Sequence, residues 1–291
     1  MQKNRPLFSI LIANHNDGNY LQNTLDSIFA QTYDNWEIII VDDKSTDNSE
    51  EIYKKYANDT RIHIYRNDEN RGCGYTKRRC VDLAQGEICG FVDADDSITP
   101  NAIEIMIEAH IKEPQCSLIY SQFYYTDNHF NVTSVSQHQC TIPEGKTFLT
   151  CNILGAISHF VTFKKNYYNQ TAGIDSSFKI AEDIDLYFKL EEVGKLLFIP
   201  IPLYYYRIGT GNNTSLGKNN QLKSISWDLL ARINAYQRRH LPIEDILIPK
   251  MTHIYDEAFT NGQNDVRNTN SYKIGKAIIT PFRSIAKLFS K

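Results

Sequence analysis

The sequence predicts an α/β domain on a mostly parallel sheet flanked by helices, followed by a helical C-terminal extension. Short apolar runs at residues 7–13, 38–41, 62–65 and 88–92 alternate with stretches whose apolar positions recur at helical spacing. The first, second and fourth of these runs empty directly into polar, acid-rich loops. The length of 291 residues agrees, being enough for one large domain with an appendage and a sizeable core.

The run at 7–13 reads as a strand buried on both faces, ended by Asn14, His15, Asn16, Asp17 and Gly18. Leu21, Leu25, Ile28 and Phe29 then repeat at helical spacing, with Asp17 or Asn19 available as a cap. Residues 38–41 supply the second strand, Ile52, Tyr53 and Tyr56 mark a second helix, and 62–65 is a short third strand. A third helix is expected around 76–84 and a fourth strand at 88–92. Pro100 suits a first helical turn, Ile103, Ile107 and Ile111 line one face, and Pro114 stops that helix. Residues 118–120 begin another strand. Alternation of this kind implies right-handed crossovers, with a ligand crevice beyond the carboxyl ends of the strands. The second half is less regular: a polar stretch at 126–145, a helix near 181–193, a strand-like 196–206, then helical sequence through Trp227, Leu230 and Ile233.

Composition excludes several classes. Lys plus Arg is 31 against 34 Asp plus Glu, a formal charge of −3, which argues against a general nucleic-acid binder. The cysteines at 73, 80, 89, 116, 140 and 151 form no Cys-x-x-Cys pair and read as reduced, mostly buried thiols. No secretory signal and no apolar stretch of bilayer length is present, which predicts a cytoplasmic location. The histidines at 15, 63, 110, 129, 138, 159, 240 and 253 show no metal-ligand spacing and read from spacing alone as structural or surface residues.

Chemistry is expected at the strand ends. The second strand ends in Asp42 and Asp43, where a carboxylate can accept hydrogen bonds from a base or ribose; capping of the next helix is the plainer alternative for the pair alone. The fourth strand ends in Asp93, Ala94, Asp95 and Asp96. Like charges so crowded repel unless protonated or compensated, and oxygen ligands of this kind suit Mg2+ or Mn2+ bridging to phosphates. A turn whose acids cap the helix near Pro100 is the alternative. Between them, Asn70, Arg71 and Gly72 lead into Lys77, Arg78 and Arg79, cations placed to meet phosphate oxygens or simply a solvated helix face. Glu182, Asp183 and Asp185 open a helix, where acids ordinarily answer the helix dipole.

Taken in order, FSILIANHN (8–16), QTY (31–33), EIIIVDDKSTD (37–47), NRG (70–72), AQGE (84–87), DADD (93–96), AED (181–183) and LYYYR (203–207) resemble glycosyltransferase family two. The resemblance covers roughly residues 6–215 and is specific through the order and spacing of its motifs. It implies a GT-A fold, a nucleotide-diphospho-sugar donor, a UDP-sugar first, and inversion at the anomeric carbon. It implies that the first strand's end (Ala13, Asn14, His15, Asn16), with Asp42 and Asp43, holds the nucleotide, and that Asn70, Gly72, Lys77, Arg78, Ala94 and Arg207 complete the donor site. By the same analogy Asp95 and Asp96, with Asp93, hold a divalent metal, Mn2+ or Mg2+, Asp183 is the acceptor's base and Glu182 lies on the acceptor side. The catalytic domain is then 1–215, with a donor half at about 1–125 and an acceptor half at about 126–215; 216–291 is the extension. The chain departs from the family at Ala13, usually proline, at Lys77 and Arg78, usually Arg-Asn, and at Cys80, usually glycine. After Arg207, where the family often offers the metal a histidine, residues 208–213 contain none.

From 266 to 291 there is no acid, while Arg267, Lys273, Lys276, Arg283, Lys287 and Lys291 accompany apolar positions at helical spacing. This segment suits either peripheral contact with an anionic inner leaflet, fitting a lipid-linked acceptor, or packing on the catalytic domain. The resemblance implies transfer to a glycan or lipid-linked acceptor in surface-polysaccharide synthesis. The alternatives are a sugar nucleotidyltransferase, whose basic glycine-rich loop after the first strand is missing at 14–19, and a non-catalytic nucleotide- or glycan-binding module.

Overall fold

The computed structural model describes residues 5–151, 153, 155–209 and 218–244. The first half alternates as expected: β1 (Phe8–Asn14), α1 (Gly18–Phe29), β2 (Trp36–Asp42), α2 (Ser49–Lys55), β3 (Ile62–Arg66), α3 (Cys73–Leu83), β4 (Ile88–Phe91), β5 (Ser97–Ile98) and α4 (Ala102–Lys112). The second half adds β6 (Cys116–Thr126), β7 (Val132–Val135), α5 (Phe148–Cys151), β8 (Val161–Lys164), α6 (Lys165–Tyr168), α7 (Glu182–Val193), β9 (Lys195–Arg207) and α8 (Lys218–Arg238). One sheet runs β3-β2-β1-β4-β8-β6-β9-β5, with β7 paired to β6.

The apolar runs are continuous because both faces of the sheet are covered. Ile10, Ile12, Ile38 and Ile40 face a core closed by α1, α2 and α4. Leu11, Ile39 and Val41, one residue out of step, face a second core closed by α3, α5, α7 and α8. In α4 the buried stripe is Ala102, Ile103, Met106, Ile107 and His110, whereas Ile111 is 48% exposed. Each i+4 step overshoots a full turn by about 40°, so the expected stripe Ile103, Ile107, Ile111 drifts out of contact by its third member.

Strands β1 to β4 pair in parallel. The sheet then departs from the expected pattern, because β8 is inserted antiparallel between β4 and β6. Only four residues long, β8 carries no periodicity that the sequence alone could register. β9 runs parallel to β6, but the pairing jumps from Ser121↔Ile199 to Gln122↔Pro202. The bulge takes up Pro200, which has no amide hydrogen for a ladder. Beyond it, β9 pairs antiparallel with β5 through Ser97↔Tyr205. The turn at 93–96 is therefore pinned between the end of β4 and the end of β9, and this places the site. The polar loop after Gly209 and the basic 266–291 segment lie outside the described residues. Among the described residues no helix is long and apolar enough to cross a membrane.

Candidate active site

Three strand ends and one helix start converge. At the end of β1, Asn14 is buried with its amide nitrogen against Tyr53 Oη (2.7 Å), Ser49 Oγ (2.9 Å) and Ser45 Oγ (3.2 Å). Asp42 joins this inward network, accepting from Tyr53 Oη (2.8 Å) and from the Ser45 amide (2.8 Å). The neighbouring carboxylate does different work: Asp43 Oδ1 accepts from Asn67 Nδ2 (2.7 Å) and the Arg71 amide (2.8 Å), and Oδ2 from the Gly72 amide (2.8 Å). Asp43 thereby fixes the 70–72 loop, where Gly72 has φ 87°, open to glycine without strain. His15 donates from Nδ1 to the Asp43 carbonyl (2.8 Å), leaving Nε2 to accept from Asn70 Nδ2 (3.0 Å) and Asn16 Nδ2 (3.2 Å). His15, Asn16, Asp43, Asn70 and Gly72 thus form one connected rim at the end of β1, whereas Asn14 and Asp42, both expected on the donor, are buried beneath it.

The acidic turn is held from below. Thr24 Oγ1 donates to the carbonyls of Ala94 (2.8 Å) and Asp96 (2.7 Å). Tyr204 Oη accepts from the Asp93 amide (3.1 Å) and donates to Asp96 Oδ2 (2.9 Å), while Asp96 Oδ1 accepts the Arg207 amide (2.8 Å). Asp96 is 1% exposed, and burial followed by its neighbours Asp95 and Asp93 pushes its pKa well up. Crowding of three carboxylates in this buried turn thus disfavours full ionisation of Asp96. Asp93, Asp96 and His159 each bring one ligand atom within 4.8 Å of the others. Carboxylate oxygen with imidazole nitrogen is a donor set that suits a divalent cation, so the residues present fit the metal expected here. His159 was read from spacing as structural; it reaches this cluster from the loop before β8, a proximity that only the sheet topology creates.

Across from the turn, Lys77 Nζ pairs with Glu182 Oε1 at 2.8 Å and stands 3.9 Å from Asp93 Oδ1. Burial opposes its charge, yet Cys73, Glu182, Asp93 and Asp183 together hold its pKa well above the usual lysine value. Glu182, expected on the acceptor side, is only 5% exposed; burial would raise its pKa, but Lys77 holds it below the ordinary range, and Cys73 Sγ also donates to it (3.2 Å). Its neighbour Asp183 is half-buried at the first turn of α7, reached through Ala181 in the left-handed region (φ 62°). Burial first and Glu182 second push the Asp183 pKa up to about 6, with Lys77 pulling the other way. A carboxylate so tuned is suited to proton abstraction near neutral pH.

Two further expected donor contacts are engaged elsewhere. Arg78 donates to the carbonyls of Ile174 (2.8 Å) and Ala172 (3.2 Å). Arg207 is 2% exposed, its guanidinium packed between Phe130 (3.8 Å) and Tyr20 (4.4 Å), with Asp95 and Asp96 in its electrostatic field. It braces the acidic turn through its own backbone and aromatic neighbours.

Residues 9–171 match the model of Glycosyl transferase family 2. The chain belongs to this family. Among curated relatives, the chain is 29% identical over 250 residues to the chondroitin synthase of Escherichia coli, covering 84% of this chain and 35% of that protein. The chain thus spans about a third of that relative's length. Among solved structures it is similar to TarS 1–349 of S. aureus in complex with UDP-GlcNAc, with TM-score 0.62, 19% identity, and 77% of this chain and 65% of that one covered. It is also similar to the mannosyltransferase PcManGT of Pyrobaculum calidifontis in complex with GDP-Man and Mn2+, with TM-score 0.63, 12% identity and coverage of 98% and 81%. These likenesses show the GT-A fold that the motif order implied.

Proposed function

We propose that this glycosyltransferase transfers a sugar, with inversion, from a nucleotide-diphospho-sugar to a hydroxyl of a glycan or lipid-linked acceptor, in the synthesis of a polysaccharide. The observation that carries the reading is the convergence of the start of α7 on the acidic turn, where Lys77 lies 2.8 Å from Glu182 and 3.9 Å from Asp93 and the half-buried Asp183 stands next to Glu182, its pKa pushed up by burial. That chondroitin synthase is a relative supports a polysaccharide product, and the nucleotide-sugar complexes of TarS and PcManGT support the donor class, a UDP-sugar first.

The nucleotide occupies the rim from Ala13 to Asn16, Asp43 and the 70–72 loop, with its diphosphate toward the 93–96 turn. A divalent cation held by Asp93, Asp95 and Asp96, when bound, neutralises charge developing on the leaving diphosphate. Asp183 accepts the acceptor hydroxyl's proton as that oxygen bonds to the anomeric carbon, and the bond to the diphosphate breaks with its electron pair on the leaving oxygen. The single displacement inverts the carbon and requires no carboxylate nucleophile. Glu182 keeps Lys77 charged and aimed at Asp93, so Lys77 offsets negative charge beside the donor. The reading places the enzyme in the cytoplasm, at the inner face of the membrane when the basic 266–291 segment engages it.

The test is release of nucleoside diphosphate from a panel of UDP- and GDP-sugars with glycan acceptors, in Mn2+, Mg2+ or EDTA. One donor is expected to turn over with metal and to stop with EDTA; turnover indifferent to EDTA would remove the metal from the scheme, and failure to bind any donor would remove the function.

A further inference from the structure

The acidic turn supplies oxygen ligands only, and the sequence from Arg207 through Asn213 offers no imidazole. We propose that His159 is the nitrogen ligand of the cation held at the 93–96 carboxylates; the assignment rests on the metal-dependent reading above.

Its Nδ1 stands 4.0 Å from Asp93 Oδ2, too far for a hydrogen bond. Two ligand atoms each about 2.0–2.2 Å from one ion lie about 4 Å apart when the angle at the ion is wide, so this spacing is one that a shared cation can bridge. The Asp96 carboxylate completes the group within 4.8 Å. The imidazole is also held in place. It stacks on Tyr206 (4.7 Å between centroids, 16° between planes) and on Tyr204 (5.1 Å, 11°), with Phe123 edge-on (5.5 Å, 81°). Tyr204 is the same side chain that bonds the Asp93 amide and the Asp96 carboxylate. One tyrosine thus touches Asp93, Asp96 and His159 together, as outer-shell groups do in built metal sites.

An imidazole in the set favours Mn2+ over Mg2+, which prefers an all-oxygen shell. His159→Phe, which keeps the stacked ring and removes both nitrogens, is expected to weaken Mn2+ about tenfold or more and Mg2+ by about threefold or less. The direct test is electron spin-echo envelope modulation of the full chain loaded with Mn2+ and UDP. A directly bound 14N is expected in the wild type and in His129→Gln, and is expected to vanish in His159→Phe and in His159→Gln, so the result does not hang on one variant folding. Bound Mn2+ without nitrogen coupling, or coupling that survives both His159 variants, overturns the assignment and leaves the metal reading standing. Wild type that binds no Mn2+ overturns both.

Discussion

At Asp183, position and environment act together: the side chain opens α7 where the backbone takes a left-handed step at Ala181, and burial beside Glu182 pushes its pKa up to about 6. The base works as the carboxylate, so kcat/KM is expected to fall about tenfold per pH unit below about 6 and to level above it, a limb read from a pH–rate profile. The same shift bears on stability. A folded pKa above the ordinary 3.8 means that the native state holds its proton longer than the unfolded chain does. The resulting cost is absent below about pH 4, grows as pH rises toward 6 and is full above it. Asp183→Asn is therefore expected to stabilise the fold by about 1–3 kcal/mol at pH 7.5, seen as a raised Tm, and to lose that advantage at pH 4. Asp183, the DADD turn and the strand-end motif were legible because their motifs are contiguous in sequence. His159, Tyr204 and the pairing of Lys77 with Glu182 were not, since each spans more than sixty residues of chain and only the sheet brings the partners together.

Helix α7 is braced by α8 through charge. Asp185, 1% exposed, lies 2.6 Å from Lys189 Nζ and 3.2 Å from Arg238 Nη1, while Arg239 reaches both Glu191 and Glu192. Asp185→Ala strands the buried Lys189 ammonium and is expected to destabilise the fold by about 3–5 kcal/mol in urea denaturation. Arg238→Ala removes a partly exposed partner and is expected to cost about 1 kcal/mol or less. Equal costs would mean that the network is a surface feature with no special hold on α7. Element by element, the first half was readable because two-sided burial writes unbroken apolar runs into β1, β2 and β4. In the second half α7, β9 and α8 were readable from 181–193, 196–206 and the run through Trp227, whereas β8, four residues long, is too short to show a period, and its antiparallel insertion could not be read.

In the whole molecule, a sheet covered on both faces delivers four segments to one edge: the end of β1, the 70–72 loop, the acidic turn and the start of α7. The basic C-terminal segment adds a further expectation. Deleting residues 271–291 is expected to abolish co-sedimentation of the full chain with anionic liposomes while leaving donor binding intact; unchanged co-sedimentation would remove the membrane from the account. The central claim is that donor binding and proton abstraction belong to separate groups facing one centre. It is tested most directly by measuring donor affinity and acceptor-dependent nucleotide release for wild type and Asp183→Asn side by side in Mn2+. The account predicts donor affinity within about threefold of wild type and turnover reduced by about 10²–10⁴; a variant that transfers sugar at the wild-type rate would contradict it.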